Sequence, residues 1–195
     1  MKRLSLYLFL ILISFQTPSQ AEDIRDFQIE GVSVGDSLLN IFSKKEIDGI
    51  EPTYYPDSRK FHDVPIISHK FKDYDQVTFG LKRDDKKYII YSLAGDLYYE
   101  NDFKNCMKKK EEILKEVSSL FTKQKRSDYR HVYTEVDDGK SFSEITDFIF
   151  KDNSRLRIWC TDWTLETARK REFLDMLSVN AVSNEYLKWL DNEAY

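Results

Sequence analysis

The most regular hydrophobic pattern in the chain lies between Asp102 and Phe121. Apolar residues recur there at steps of three and four, the spacing that places them on one side of an α-helix. That side carries Phe103, Cys106, Met107, Lys110, Ile113, Leu114, Val117, Leu120 and Phe121. Asn101 or Asp102 can cap the first turn, because a short polar side chain accepts hydrogen bonds from unpaired backbone N–H groups there. The pattern predicts one long amphipathic helix with Cys106 on its buried side.

Elsewhere apolar and polar residues alternate, which is typical of strands with one buried face. Val77, Phe79 and Leu81 give the clearest example, because polar residues or glycine separate them. The predicted strands span residues 67–71, 77–82, 87–99, 129–136, 142–151, 155–161 and 172–182. The sequence Asp137-Asp138-Gly139 predicts a hairpin between the fourth and fifth of these.

Shorter helical signals flank these strands. The segment Gly35-Asp36-Ser37 opens a first helix, and Ser43 with Glu46 has the form of a capping box. Ser183 can cap a last short helix that holds Tyr186, Leu187 and Leu190. Residues 51–64 are bounded by prolines and are predicted to be irregular.

The facing of the strand at 155–161 follows from the turn before it. A three-residue loop places Phe148 and Phe150 on the same face as Leu156. A two-residue loop would mix these phenylalanines with Arg155 and Arg157, because a slip of one residue exchanges the two faces of a strand. The first register is therefore predicted.

Together these elements predict an α+β fold, an antiparallel sheet with helices on one face. Helix is followed by strands twice, over residues 36–99 and 102–182, and both units belong to one domain spanning residues 22–195. Since the two units share no run of identical residues, the repeat is one of architecture only.

The start of the chain has the form of a secretory signal peptide over residues 1–21. Lys2 and Arg3 precede twelve residues, Leu4 to Phe15, that are apolar apart from two serines. Small residues at Ser19 and Ala21 suit cleavage after Ala21. A membrane-spanning helix would need about 20 apolar residues, so the apolar run is too short for one. We expect a periplasmic or secreted protein, monomeric and without a membrane span after processing.

Cys106 and Cys160 are the two cysteines of the chain. An even pair in an exported protein predicts a disulfide. Two free thiols or half of a metal site are the alternatives, although no histidine has a ligand-like spacing to either cysteine. If Cys160 faces the long helix, strand alternation sends Arg155, Arg157 and Trp159 to the opposite face.

A tryptophan flanked by two arginines has the composition of an interaction hot spot. Asp147 and Lys151, on the neighbouring predicted strand, are expected to share this surface with Arg155, Arg157 and Trp159. The alternative is that Trp159 packs under Trp163 or the last helix and belongs to the core.

One segment carries a family resemblance. Residues 29–39, Ile-Glu-Gly-Val-Ser-Val-Gly-Asp-Ser-Leu-Leu, resemble the start shared by uncharacterised exported bacterial proteins. More loosely, the chain resembles the helix–helix–strand modules of the beta-lactamase-inhibitor-protein type and the small outer-membrane assembly lipoproteins. The resemblance implies a scaffold that binds proteins without catalysis. The lipidated cysteine of the lipoproteins is missing, and no functional residue is carried over.

Composition limits the remaining function classes. With 30 basic and 34 acidic residues the net charge is −4, which argues against a dedicated nucleic-acid binder. No nucleophile elbow, phosphate-binding loop, dinucleotide fingerprint or zinc-protease motif occurs in the sequence. The acidic pairs lack the spacing of a Ca²⁺ loop and suit turns better. We therefore expect no catalytic residue, no metal and no cofactor.

These observations predict a non-catalytic module that binds another envelope or secreted protein through a sheet face or loops. One alternative is a small-ligand or carbohydrate binder that uses exposed aromatic residues, among them Tyr54, Tyr55, Tyr98 and Tyr99. A third hypothesis is a hydrolase that uses His62 or His131 with a carboxylate.

Overall fold

The computed structural model describes residues 22–137 and 139–195. The predicted signal peptide, residues 1–21, lies outside the described residues, and so does Asp138 of the predicted hairpin turn.

The described chain forms eight strands and five α-helices. The strands are β1 (Thr53–Tyr54), β2 (Phe61–Ile66), β3 (Gln76–Lys82), β4 (Ile90–Tyr98), β5 (Lys125–Val132), β6 (Phe142–Ile149), β7 (Arg155–Asp162) and β8 (Met176–Val182). The helices are α1 (Lys44–Asp48), α2 (Phe103–Leu120), α3 (Thr134–Asp137), α4 (Leu165–Arg171) and α5 (Asn184–Asn192). Short 3₁₀ turns at Ile24–Asp26 and Leu38–Asn40 precede them.

All eight strands belong to one antiparallel sheet, in the order β1-β2-β3-β4-β8-β7-β6-β5. Each half of the sheet is a meander of four consecutive strands, and the last strands of the two meanders, β4 and β8, pair at its centre. The first meander lies within residues 36–99 and the second within residues 102–182. The fold thus combines helices with an antiparallel sheet, and the sheet is its dominant part.

The long predicted helix is present as α2, and it packs on β7 and β8. Asp102 caps its first turn by accepting a hydrogen bond from the backbone N–H of Asn105. The capping box predicted between Ser43 and Glu46 is also present, at the start of α1. Local side-chain chemistry therefore begins both helices where the sequence indicates.

A disulfide joins Cys106 of α2 to Cys160 of β7, as predicted. Both cysteines are fully buried, and their Cα atoms are 6.0 Å apart. We call the sheet face that carries Cys160 the disulfide face. The opposite face, which carries Arg155 and Arg157, is the arginine face.

The predicted register of the β6–β7 turn is confirmed. Phe148 pairs with Leu156, and Phe150 is buried in the same core. The main core lies on the disulfide face, where α2 and the N-terminal segment cover the sheet.

The expectation that all helices lie on one face is wrong for α5. Tyr186 and Trp189 of α5 pack on Phe61 and Val182 in a second apolar cluster, which lies on the arginine face. Gly80 on β3 makes this possible, because a Cβ atom there would lie 2.8 Å from the Tyr186 ring. Helix α5 therefore covers the end of the arginine face around Phe61, Gly80 and Val182.

The predictions for residues 51–71 are wrong in detail. Residues 51–64 contain β1 and most of β2 rather than irregular chain, whereas residues 67–71 form no strand. Pro65 is tolerated in β2 because it pairs with Thr78 on one side only; β1 is too short to reach its other side. A proline without a backbone N–H fits such an edge position.

Two further boundaries differ from the sequence prediction. The strand expected at 129–136 runs from Lys125 to Val132, and α3 follows it. The strand expected at 172–182 begins only at Met176, because α4 occupies the preceding segment. Helix α4 is capped by the Thr164 side chain and ends at Glu172, whose backbone is left-handed.

Candidate functional site

The arginine face of the second meander carries most of the predicted site residues. Arg155, Arg157 and Trp159 alternate along β7 with the buried Leu156, Ile158 and Cys160. The two arginine side chains are about one third exposed, at 33% and 32%. Trp159 is half-buried. Its neighbours across the sheet are Ile145 on one side and Ser178 on the other.

Asp147 lies beside these arginines and is buried, with 5% of its surface exposed. It accepts two hydrogen bonds from Arg157, 2.8 Å from Nε to Oδ1 and 2.9 Å from Nη2 to Oδ2. These bonds raise the pKa of the Arg157 guanidinium above its ordinary value. A two-point pair of this kind fixes both the position and the plane of the guanidinium.

Tyr129 on β5 completes this hydrogen-bonded group. Its hydroxyl donates to Asp147 Oδ2 at 3.3 Å and accepts from Arg157 Nη2 at 2.9 Å. Burial raises the pKa of Tyr129, so the hydroxyl stays protonated at neutral pH. Strands β5, β6 and β7 thus hold one another through Tyr129, Asp147 and Arg157.

A hollow of about 320 Å³ opens next to this group. We call it the Trp159 hollow. It is lined by Tyr129, His131, Tyr133, Ile145, Arg157 and Trp159. Aromatic rings, one aliphatic side chain and a fixed guanidinium surround it, a composition that suits recognition of an apolar group with a polar neighbour.

Buried hydroxyl groups beside the hollow form hydrogen bonds with one of its lining residues, Tyr133. The Tyr133 hydroxyl is 2.9 Å from Ser143 Oγ, which is 2.7 Å from Thr161 Oγ1. Ser143 and Thr161 are almost completely buried. This chain of hydrogen bonds fixes the Tyr133 ring.

Aromatic contacts extend the surface beyond the end of the strands. His131 packs on Tyr133, Tyr133 on Trp163 and Trp163 on Phe173, with ring centroids 4.6, 4.5 and 4.6 Å apart. Phe173 is 37% exposed, and with Leu165 it lines a second hollow of about 380 Å³. Exposed apolar side chains therefore continue from the Trp159 hollow onto α4.

The carboxylate of Asp137 holds this extension in place. It accepts hydrogen bonds from the backbone N–H and hydroxyl of Ser141 and from the hydroxyls of Thr164 and Thr167. Partial burial raises the pKa of Asp137, but these hydrogen bonds outweigh it and lower the pKa to about 2. The β5–β6 connection is thereby tied to the start of α4, where Trp163 meets Tyr133.

The structure brings together four of the five predicted site residues. Asp147, Arg155, Arg157 and Trp159 are neighbours on β6 and β7. Lys151 lies beyond the end of β6, in the turn, and its ammonium group is 4.0 Å from Glu22. Among the ring contacts of the described residues, Trp163 pairs with Tyr133 and Phe173 instead of Trp159.

Sequence reasoning did not assign Tyr129, His131 and Tyr133 to this site. A signal for them exists, because they alternate along one predicted strand and their partners follow from the hairpin turn. The sequence offers Trp163 only as a possible cover for Trp159. Its position in the site depends on α4, which the strand pattern of that segment does not indicate.

A separate cavity of about 670 Å³ lies at the other end of the sheet, between α1, β1 and the β3–β4 turn. We call it the His62 cavity. Tyr54, His62, Leu81 and Tyr88 form part of its walls. Charged residues form the rest: Lys44, Asp48, Lys82, Arg83, Asp84, Asp85 and Lys86. Burial lowers the pKa of His62, and no protein group within the described residues binds its buried Nδ1.

The four tyrosines of the carbohydrate hypothesis do not share one groove. Tyr54 lines the His62 cavity, with Arg59 stacked on its ring. Tyr55 packs on Trp189 and donates its hydroxyl to Asp63. Tyr98 is on the arginine face of β4 and Tyr99 follows the end of that strand.

The histidines show no catalytic pairing in residues 22–137 and 139–195. No hydrogen bond joins His62 or His131 to a carboxylate there. Within the same residues, no cluster of three or more histidine, cysteine, aspartate or glutamate side chains has the arrangement of a metal site. No helix in the described part of the chain combines the length and apolar character needed to cross a membrane.

Comparisons with known proteins identify no relative. No protein-family model, no curated protein and no solved structure matches the chain.

Proposed function

We propose that this chain is an exported, non-catalytic module that binds another envelope or secreted protein at the Trp159 hollow. The observation that carries the proposal is the hollow itself, which is lined by aromatic rings and by a guanidinium that Asp147 and Tyr129 hold in place. Preorganised aromatic and arginine side chains lose little conformational freedom on binding, which is why they dominate interface energetics.

The extent of the exposed apolar surface favours a protein over a small molecule. The Trp159 hollow, at about 320 Å³, is at the lower limit of small-molecule pockets. Ring contacts connect Tyr133, at the edge of this hollow, through Trp163 to Phe173. Beside Phe173, Leu165 and Leu174 are 56% and 48% exposed. Contiguous exposed apolar side chains of this kind mark protein interaction sites.

The proposal that the protein is exported rests on two features. Residues 1–21 have the pattern of a signal peptide, and the Cys106–Cys160 disulfide suits an oxidising compartment. We therefore propose that the partner is exported too, because the two proteins must meet in the same compartment.

The experiment begins with capture of partners from the envelope and secreted fractions of the source cell by the purified, oxidised protein. A captured protein is then purified, and its affinity is measured by calorimetry for the wild type, Trp159→Ala and Tyr54→Ala. We expect Trp159→Ala to weaken binding at least tenfold, because Trp159 lines the hollow. Tyr54→Ala, which removes an exposed aromatic ring at the other end of the sheet, should bind like the wild type.

Thermal unfolding of each variant shows whether the fold is preserved. Unchanged affinity of Trp159→Ala for every captured partner would refute the proposal. A melting temperature of Trp159→Ala many degrees below that of the wild type would instead assign Trp159 to the core, which also contradicts the proposal.

The His62 cavity supports a second candidate function, binding of a small ligand such as a carbohydrate. Its volume of about 670 Å³ suits a small molecule, and the Tyr54 ring beside it is 40% exposed. A panel of mono- and disaccharides, followed by the NMR signals of the His62 imidazole, tests this candidate. Binding that is lost in Tyr54→Ala and kept in Trp159→Ala supports it, and absence of any shift of these signals counts against it.

A further inference from the structure

The arginine face has more positive than negative charge around Asp147. Two guanidinium groups, those of Arg155 and Arg157, approach this single buried carboxylate. Arg157 and Tyr129 already take up both of its oxygens through hydrogen bonds. The single charge of Asp147 is therefore shared by two arginines, and the group of three keeps one excess positive charge.

Arg155 is the arginine that Asp147 pairs with less closely. Its Nη1 atom is 3.8 Å from Asp147 Oδ2, an ion-pair contact that is beyond hydrogen-bonding distance. Its Nε atom is buried and has no hydrogen-bond partner within residues 22–137 and 139–195. A buried donor without a partner is unfavourable, so an acceptor that satisfied this guanidinium would recover free energy.

The surroundings of Arg155 add to the positive charge. Lys125, Ile149 and Arg155 stand in one row across β5, β6 and β7, and Lys125 is exposed. The whole chain has a net charge of −4, so this basic row is a local departure from an acidic protein. Its charge is complementary to a carboxylate, and a guanidinium binds a carboxylate through two parallel hydrogen bonds.

We infer that the protein partner presents an aspartate or glutamate to Arg155 and, close to it, an apolar side chain to the Trp159 hollow. This inference rests on the proposed function. Arg157 is the lining residue of the hollow that is nearest to Arg155 along β7. The two arginines are two residues apart on one strand face, which is a distance of about 7 Å. An extended partner segment bridges that distance when its acidic and apolar residues are also two positions apart.

Two synthetic peptides test this arrangement, acetyl-Ser-Asp-Ser-Phe-Ser-amide and the same peptide with asparagine in place of aspartate. Each is titrated into the ¹⁵N-labelled, oxidised protein, and the N–H signals of Arg155 Nε and Trp159 Nε1 are followed by NMR. We expect both signals to shift with the aspartate peptide, which should bind at least fivefold more tightly than the asparagine peptide.

Two variants with the same loss of charge locate the effect. Arg155→Gln should abolish the preference for the aspartate peptide, and Asp147 remains paired with Arg157 in this variant. Lys151→Gln should keep the preference, because Lys151 lies in the turn beside Glu22.

The outcomes separate this inference from the proposed function. If both peptides shift the Trp159 signal with equal affinity, the hollow binds apolar groups and the role of Arg155 is refuted. If neither peptide shifts either signal, the inference is refuted, and the calorimetry with captured partners still decides the proposed function. Tighter binding of a single-stranded oligonucleotide than of the aspartate peptide would also refute it, in favour of polyanion binding.

Discussion

The ring of Tyr186 lies directly over Gly80, and it leaves no space for a side chain at that position. A Cβ atom at residue 80 would lie 2.8 Å from the Tyr186 ring and 2.7 Å from Ser92 Cβ. This contact brings α5 against β3 and β4, on the arginine face. It also divides that face into a part covered by α5 and a part that carries the Trp159 hollow.

We therefore expect Gly80→Ala to lower the free energy of unfolding by about 1–3 kcal/mol, the usual cost of an overpacked core. Urea unfolding followed by tryptophan fluorescence measures this, since Trp189 lies in the same cluster as Tyr186. Ala94→Ser is the control, because it also adds one heavy atom to the arginine face but at a half-exposed position. It should change stability by no more than about 0.5 kcal/mol. Equal stability of the two variants would contradict the close contact.

The disulfide between Cys106 and Cys160 is expected to be a major source of stability. It closes a loop with a sequence separation of 54, which corresponds to roughly 4 kcal/mol in the chain-entropy model. We expect Cys106→Ala/Cys160→Ala to be less stable than the oxidised wild type by up to this amount. Denaturant unfolding with and without a reductant measures the difference. The reductant should destabilise the wild type and leave the double variant unchanged, and a wild type insensitive to full reduction would contradict the prediction.

The sequence predicted those elements whose determinants are local. Helix α2 has a long amphipathic pattern and a cap at Asp102, and the facing of β7 follows from two phenylalanines before a short turn. That facing, together with the disulfide, was enough to place Arg155, Arg157 and Trp159 on a common face. Asp147 followed because its strand is joined to β7 by the same turn.

Other features depend on contacts between distant segments and could not be predicted in the same way. Pro65 is compatible with a strand only because β1 ends before it, and β1 has just two residues. The face on which α5 packs depends on the absence of a side chain at Gly80, which is more than 100 residues away in sequence. The position of Trp163 in the site depends on Asp137, which ties α4 to the β5–β6 connection.

The ion pair between Asp147 and Arg157 predicts that substitutions of these two residues have non-additive effects on stability. Asp147→Ala removes the acceptor of two charged hydrogen bonds and leaves two guanidiniums without a carboxylate, so we expect a loss of about 2 kcal/mol. Arg157→Ala should also destabilise, but less, because Arg155 remains near Asp147. In the double variant the two losses should not add, because neither partner is then left unpaired. A double-mutant cycle by urea unfolding measures the coupling, and additive losses would show that the pair contributes nothing.

The carboxyl group of Asp96 is expected to make the stability of the protein depend on pH. It is 8% exposed on the arginine face of β4, and burial raises the pKa of its carboxyl group while a hydrogen bond from Ser178 acts in the opposite direction. The folded protein therefore holds this proton more tightly than the unfolded chain does. The stability that Asp96 contributes is full below the unfolded pKa of about 3.9 and is lost as the pH rises through the higher folded value. At pH 7 the folded protein buries a charged carboxylate, which lowers its free energy of unfolding.

Asp96→Asn removes this charge and keeps an oxygen that can accept from Ser178. We expect the variant to gain stability relative to the wild type as the pH rises from 4 to 7, because the asparagine cannot ionise. Urea unfolding of both proteins at the two pH values measures the change. The carboxyls of Asp63 and Asp175, whose pKa values are also raised by burial, are present in both proteins and cancel in the difference. A stability difference that is the same at both pH values, or smaller at pH 7, would show that Asp96 is not ionised at a cost in the folded protein.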